Sequence, residues 1–182
     1  VAPSQCQTLT PLPDARPTIT PLALKLSEDN VSWRVGATYK LDGGPLLYAN
    51  VSRGYKAGIF TPIGASLTEQ LAPARQERLD SFEIGVKAPF LDHRLQLNAA
   101  YFHYDYKDKQ VRARVLDPVF GLLEKLVNVP EARVDGVEVE LTAQPIKGLA
   151  LSVASTYLDS KISGPTSGFY NQAGYLGDFE GS

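Results

Sequence analysis

SFEIGVKAPFLDHRLQLNAAYF, residues 81 to 102, is two alternating runs joined by a turn. Phe82, Ile84, Val86 and Ala88 share one side of an extended chain; Ser81, Glu83, Gly85 and Lys87 share the other. A period of two marks a β-strand with one apolar and one polar face, because successive side chains point to opposite faces. Leu91-Asp92-His93 supplies a short turn. From Arg94 to about Tyr106, Leu95, Leu97, Ala99 and Tyr101 then oppose Arg94, Gln96 and Asn98. The two runs predict an antiparallel hairpin.

The same pattern recurs on either side. Trp33, Val35, Ala37 and Tyr39 oppose Arg34, Gly36, Thr38 and Lys40, and Leu41-Asp42-Gly43-Gly44 offers glycine for positive φ. Leu47, Ala49 and Val51 return opposite Tyr48, Asn50 and Ser52. Farther on, Val137, Val139 and Leu141 alternate with Glu138, Glu140 and Thr142. After Pro145-Ile146-Lys147-Gly148, Leu149, Leu151, Val153 and Tyr157 oppose Ser152 and Thr156. Residues 31–162 thus read as six strands in three hairpins. Connections are short near 41–44, 91–93 and 145–148, and long near 56–77 and 108–131. Gly54 and Gly58 bracket Tyr55-Lys56-Ala57 and are expected to let the chain leave the sheet. Residues 1–30, with five of the 13 prolines at 3, 11, 13, 17 and 21, read as extended loop, and 163–182 as loop or truncated end.

Composition narrows the classes. Eighteen Lys and Arg against 20 Asp and Glu give a net charge of −2, with no basic field for nucleic acid. Cys6 is the single cysteine, so no intrachain disulfide scaffold exists. No apolar run approaches the roughly 18 residues of a membrane-spanning helix. A β-barrel stays open, because its strands hide the membrane signal in alternation. With no Met and no visible signal peptide, the 182 residues are expected to be an internal fragment or a processed product.

Two all-β readings compete. One is an antiparallel meander of about six transmembrane strands, part of a larger outer-membrane β-barrel. The other is a soluble β-sandwich or small-barrel binding module that uses its long loops to hold carbohydrate or protein. Long structureless loops are awkward in a compact domain and ordinary on the outer side of a membrane barrel. Trp33, Tyr39, Tyr48, Tyr101 and Tyr157 suit interfacial girdles, and Arg53, on the apolar parity, suits a rim where it snorkels to headgroups.

Catalytic constellations are absent from the reading. Gly54-x-x-x-Gly58 lies in no apolar helix, and His93 and His103 have no metal-spaced companions. Glu138 and Glu140 read as a hydrated wall rather than an acid pair. No catalytic residue, metal site or cofactor is expected. For ligand contact the candidates are Tyr55 and Lys56 in one long loop, with Arg112 and Arg114 at the base of the next, meeting an anionic metal chelate. Alternatively, Arg112 and Arg114 pair with lipopolysaccharide phosphates or simply continue a strand.

Four ordered pieces carry a resemblance. Tyr48, Ser52-Arg53 and Gly54-Tyr55-Lys56-Ala57-Gly58 form the first, and Phe82-Glu83-Ile84-Gly85-Val86-Lys87 with Phe90, Asp92 and Arg94 the second. Leu95 to Phe102 with Tyr104, Tyr106-Lys107-Asp108 and Gln110 form the third; Gly136-Val137-Glu138, Pro145, Gly148-Leu149 and Tyr157 form the fourth. Together they resemble the barrel of TonB-dependent outer-membrane receptors. Where that family usually has Pro-Glu, this chain has Gln76-Glu77. The resemblance implies a 22-stranded barrel in the bacterial outer membrane, filled by a plug and taking up scarce ligands such as ferric siderophores. It also implies outer-membrane lipid around the wall. The TonB energy-coupling complex would engage through N-terminal parts, plug and coupling box, which this sequence lacks.

Overall fold

The computed structural model describes residues 7–10, 18–21, 24–61, 71–92, 94–117 and 119–163. Strands β1 (Gln7–Thr10) and β2 (Thr18–Pro21) pair antiparallel in a small sheet of their own. The proline-rich stretch expected to be all loop therefore holds two short strands.

The main sheet is a meander. β3 (Trp33–Lys40), β4 (Leu46–Lys56), β5 (Glu77–Phe90), β6 (Leu95–Asp117), β7 (Gly121–Ile146) and β8 (Leu149–Ser163) lie side by side in chain order. Each neighbour runs antiparallel to the last. The short turns form as the sequence predicts. Gly43 and Gly44 take φ of 90° and 109°, and Gly148 takes 87°. At the middle turn Leu91 and Asp92 themselves hold a φ of 52°.

One layer is all there is among the described residues. The face of Val35, Ile84 and Val153 is 67%, 59% and 66% exposed at those side chains, with no second sheet laid upon it. A sandwich buries such a face, because apolar surface left in water forfeits roughly 25 cal/mol per Å².

The ladder shows which way this face is oriented. Ala37, Ala49, Ile84, Tyr101, Val137 and Tyr157 form one cross-strand row. The next row is Val35, Val51 and Phe82, then His103, Asp135 and Asp159; the row beyond is Trp33, Arg53, Asp80, Asp105, Arg133 and Lys161. The apolar-to-polar border thus crosses the rows obliquely, reaching one row lower on β6–β8 than on β3–β5. Rows run perpendicular to strands, so a border cutting across them means that the strands tilt, as in a membrane barrel. The spanning segments lie between this border and the short turns.

The opposite face is polar and close-fitted. Gly85 lies across from Tyr48, and Gly136 across from Phe102; a β-carbon at either glycine would run into the facing ring. Tyr48 therefore belongs to the inner wall and not to an outward girdle. Around it stand Glu83, Lys87, Asn98, Glu138 and Glu140, with Asn98 donating to Glu140 at 3.0 Å.

Two expectations change at the long connections. β4 continues through Tyr55 and Lys56, which pair with Arg78 and Glu77, so Gly54 lies inside a strand and is no hinge. Residues 108–131 are not a loop. β6 and β7 run on as a two-stranded ribbon to a turn at Gly121, φ 76°. Sequence parity alone does not place the faces of this ribbon, because the ribbon changes phase. Asp108 takes a left-handed φ of 51°, and Pro130 opposite has no N–H to give the ladder. Pairing resumes at Lys109 and Val129. Lys109 consequently lies over the Tyr106 ring at 3.5 Å, although an undistorted strand would send these two to opposite faces.

Candidate functional site

Beyond the apolar band, the ribbon collects the segments that leave and re-enter the sheet. β4 ends where Lys56 pairs with Glu77. Glu77 is buried, and its Oε2 accepts the Gln110 backbone N–H at 2.9 Å. Gln110, also buried, donates from Nε2 to the carbonyls of Ala57 at 2.8 Å and Arg75 at 3.0 Å. Asn128, across the ladder from Gln110, treats Arg75 as a strand neighbour would. Its Oδ1 accepts the Arg75 N–H at 2.7 Å, and its Nδ2 donates to the carbonyls of Arg75 at 2.9 Å and Asp108 at 2.6 Å. Carboxamides carry a donor and an acceptor in peptide-like geometry, which is why Gln and Asn can pin irregular backbone.

Glu28 closes the other side. Its carboxylate accepts the N–H of Gly58 at 2.8 Å and of Gln76 at 3.1 Å. A β-carbon on Gly58 would stand 2.6 Å from Glu28 Oε1 and 2.7 Å from the Ala74 carbonyl, so this glycine permits the approach. Ile59 and Ala74 exchange both backbone bonds, at 3.0 and 2.9 Å. Ala74, Ala113, Val127, Val129 and Ala132 are buried here, so most of the buried apolar residues of the described chain lie in this assembly.

The ribbon also gathers cations. Arg75 reaches Asp108 at 2.6 Å, and Lys109 stands 3.8 Å from Glu77. Burial pulls the Lys125 ammonium below its usual range. Arg112 is exposed and Arg114 half-exposed, opposite Leu126 and Glu124.

The sequence-derived candidates fall in two places. Tyr55 and Lys56 end β4 at the foot of the ribbon. Arg112 and Arg114 lie two and four residues beyond Gln110, inside β6 and not at a loop base. Both arginines are part of β6. Sequence reasoning missed Glu28, Glu77, Gln110 and Asn128; each is a polar residue whose role depends on contacts more than 20 positions away, and no local pattern marks it.

Six tilted strands with an apolar outward band, a polar inner wall and a ribbon passing the border define a wall segment of a membrane β-barrel. The chain belongs to the TonB-dependent receptor family, whose profile, described as TonB dependent receptor-like, beta-barrel, matches residues 13–178. It is similar to the Probable TonB-dependent siderophore receptor PiuA of Acinetobacter baumannii, at 29% identity over 148 residues. That match covers 76% of this chain and 18% of the relative, so the chain spans under a fifth of the relative's length. TonB-dependent receptors are outer-membrane transporters, not enzymes. With a single-layered sheet, membership in this family sets the soluble sandwich aside.

Proposed function

We propose that this chain is part of the barrel wall of a receptor that actively takes up a scarce ligand, of ferric-siderophore type, across the bacterial outer membrane. One observation carries the reading: a single uncovered sheet, apolar on one face and polar on the other, whose apolar border runs obliquely across the ladder. Lipid fits the first face and a hydrated, plug-filled lumen fits the second.

Six strands cannot close around such a lumen, and β3 and β8 each leave a ladder edge for neighbouring wall strands. Plug and TonB coupling complex act from the remainder of the receptor. In the wall, Glu83, Glu138 and Glu140 keep the lumen hydrated and able to hold cationic groups. At the mouth, the pinned ribbon offers Arg112 and Arg114 to an anionic chelate, with Tyr55 and Lys56 at its foot. The chemistry is binding and release; no covalent step is involved.

The test is uptake of radio-iron chelate by source cells lacking the full-length receptor, lacking TonB, or complemented. Loss in both deletions, with recovery on complementation, is the expected result. Uptake that persists without the receptor, for every chelate the cells use, would overturn the proposal.

A further inference from the structure

Just past the border on the outward face, several side chains meet at Asp135 of β7. Its Oδ1 accepts the Tyr101 hydroxyl at 2.7 Å and lies 2.7 Å from His103 Nδ1; its Oδ2 stands 3.2 Å from Arg133 Nε. His103 Nε2 is in turn 3.0 Å from Asp105 Oδ2. Both ring nitrogens of His103 therefore face carboxylate oxygens. An ionised carboxylate only accepts hydrogen bonds and a neutral imidazole carries one N–H, so the imidazolium alone fills both contacts. With the ring neutral, a nitrogen lone pair would be set against an anionic oxygen.

The surroundings favour the cation. The Asp135 hydrogen bond raises the His103 pKa above its ordinary value, against an opposing effect of burial, and Asp105 adds to the rise. The His103 bond, and after it the Tyr101 hydroxyl, hold the Asp135 carboxyl below its usual range. Phe82 faces His103 from β5, its ring 6.1 Å away, and has no proton to lose. Charged neighbours come from the strands around. β5 brings Asp80, across from Asp105 and gripped by Arg53 of β4 and by Arg78. β6 and β7 bring the Lys107–Glu131 pair, and β8 brings Asp159 and Lys161, across from Asp135 and Arg133. Carboxylates, ammonium and guanidinium groups ordinarily hold their charge between about pH 6 and pH 9, whereas an imidazole ordinarily changes its charge there.

Position gives this contact leverage. His103 and Asp135 are direct ladder partners, and the ladder breaks a short way above them, at Asp108 and Pro130. Beyond that break the ribbon carries Arg112 and Arg114. We propose that the His103 imidazolium, clamped between Asp135 and Asp105, is a pH-sensitive latch that fastens the foot of the β6–β7 ribbon to the wall and loosens it when the ring loses its proton. The latch acts whatever ligand the receptor takes up. A histidine whose folded value is raised contributes fully below its unfolded value, near pH ~6.5, and the contribution is lost as pH climbs through the folded value.

The experiment follows amide exchange by mass spectrometry on the full-length receptor in detergent, from about pH 6 to about pH 9. Exchange of residues 101–107 and 131–137 is divided, at each pH, by that of wall residues 82–88, which cancels the chemical acceleration by base. The wild-type ratio should stay flat to near neutrality and rise about tenfold by the alkaline end. His103→Gln, with one donor and no charge, should give a high ratio at every pH. His103→Arg, a permanent cation with several donors, should keep it low throughout. A merely structural histidine would shift the ratio without giving it a pH dependence. A flat wild-type ratio overturns the proposal, and so does the same alkaline rise in either variant. A variant that loses the boiling-dependent gel shift of a closed barrel is set aside, and the wild-type series still decides.

Discussion

Arg53 and Asp80 face each other across β4 and β5, and the guanidinium grips the carboxylate twice, Nε to Oδ1 and Nη2 to Oδ2, the latter at 3.0 Å. A charge on the apolar parity is thereby satisfied within the wall, by a partner on the next strand, and does not have to rely on lipid headgroups. The Arg53 hydrogen bonds hold the Asp80 carboxyl below its usual range, against a smaller opposing effect of burial.

That relationship gives a pH dependence. A carboxyl depressed in the folded state contributes stability fully above its unfolded value, near pH ~4, and the contribution is lost as pH falls through the folded value. Asp80→Asn should therefore lower the thermal midpoint of the full-length receptor in detergent at neutral pH. The gap to wild type should close as the solution is acidified below about pH 4. A gap that stays constant into strong acid would show that Arg53 and Asp80 are not energetically linked.

Glycines on this sheet should separate into two kinds. At Gly136 the Phe102 ring fills the space a side chain would need, so Gly136→Val forces repacking at about 1–3 kcal/mol. Gly54 has nothing within 4 Å of a built β-carbon and lies in an extended strand, so Gly54→Ala should be near neutral, within about 0.5 kcal/mol. Denaturant unfolding in detergent or bilayer reads both. A large cost at Gly54 would restore the hinge that the sequence implied.

The six alternating strands, their order and the three short turns were legible because period two survives wherever one face meets a uniform environment. Phe82 to Ala88 and Leu95 to Tyr101 show it best. The ribbon was not legible. Its phase shifts at Asp108 and Pro130, so Val111 and Ala113, which have the sequence parity of Leu95 to Tyr101, lie on the other face. The candidate site was half legible: Arg112 and Arg114 stand out as charges, whereas Gln110 and Asn128 become significant only when Arg75 folds back onto them.

Those pins can be released singly. Glu28→Ala removes an acceptor from two backbone N–H groups, and charged hydrogen bonds of this sort are worth about 1.5–3 kcal/mol each. Amide exchange at Gly58 and Gln76 should accelerate by an order of magnitude or more, while amides at Val86 and Ala99 in the wall keep their protection. Unchanged exchange at Gly58 would mean that the loop is held by other contacts.

The central claim is that one face of this sheet meets lipid and the other the lumen. Spin labels placed one at a time at Ser81, Phe82, Glu83, Ile84, Gly85 and Val86 of the full-length receptor in bilayers test it most directly. Oxygen collisions should peak at 82, 84 and 86, and collisions with a water-soluble relaxer should peak, or both should be suppressed by packing, at 81, 83 and 85. Equal oxygen access along the whole run, or a peak at 81, 83 and 85, would contradict the claim.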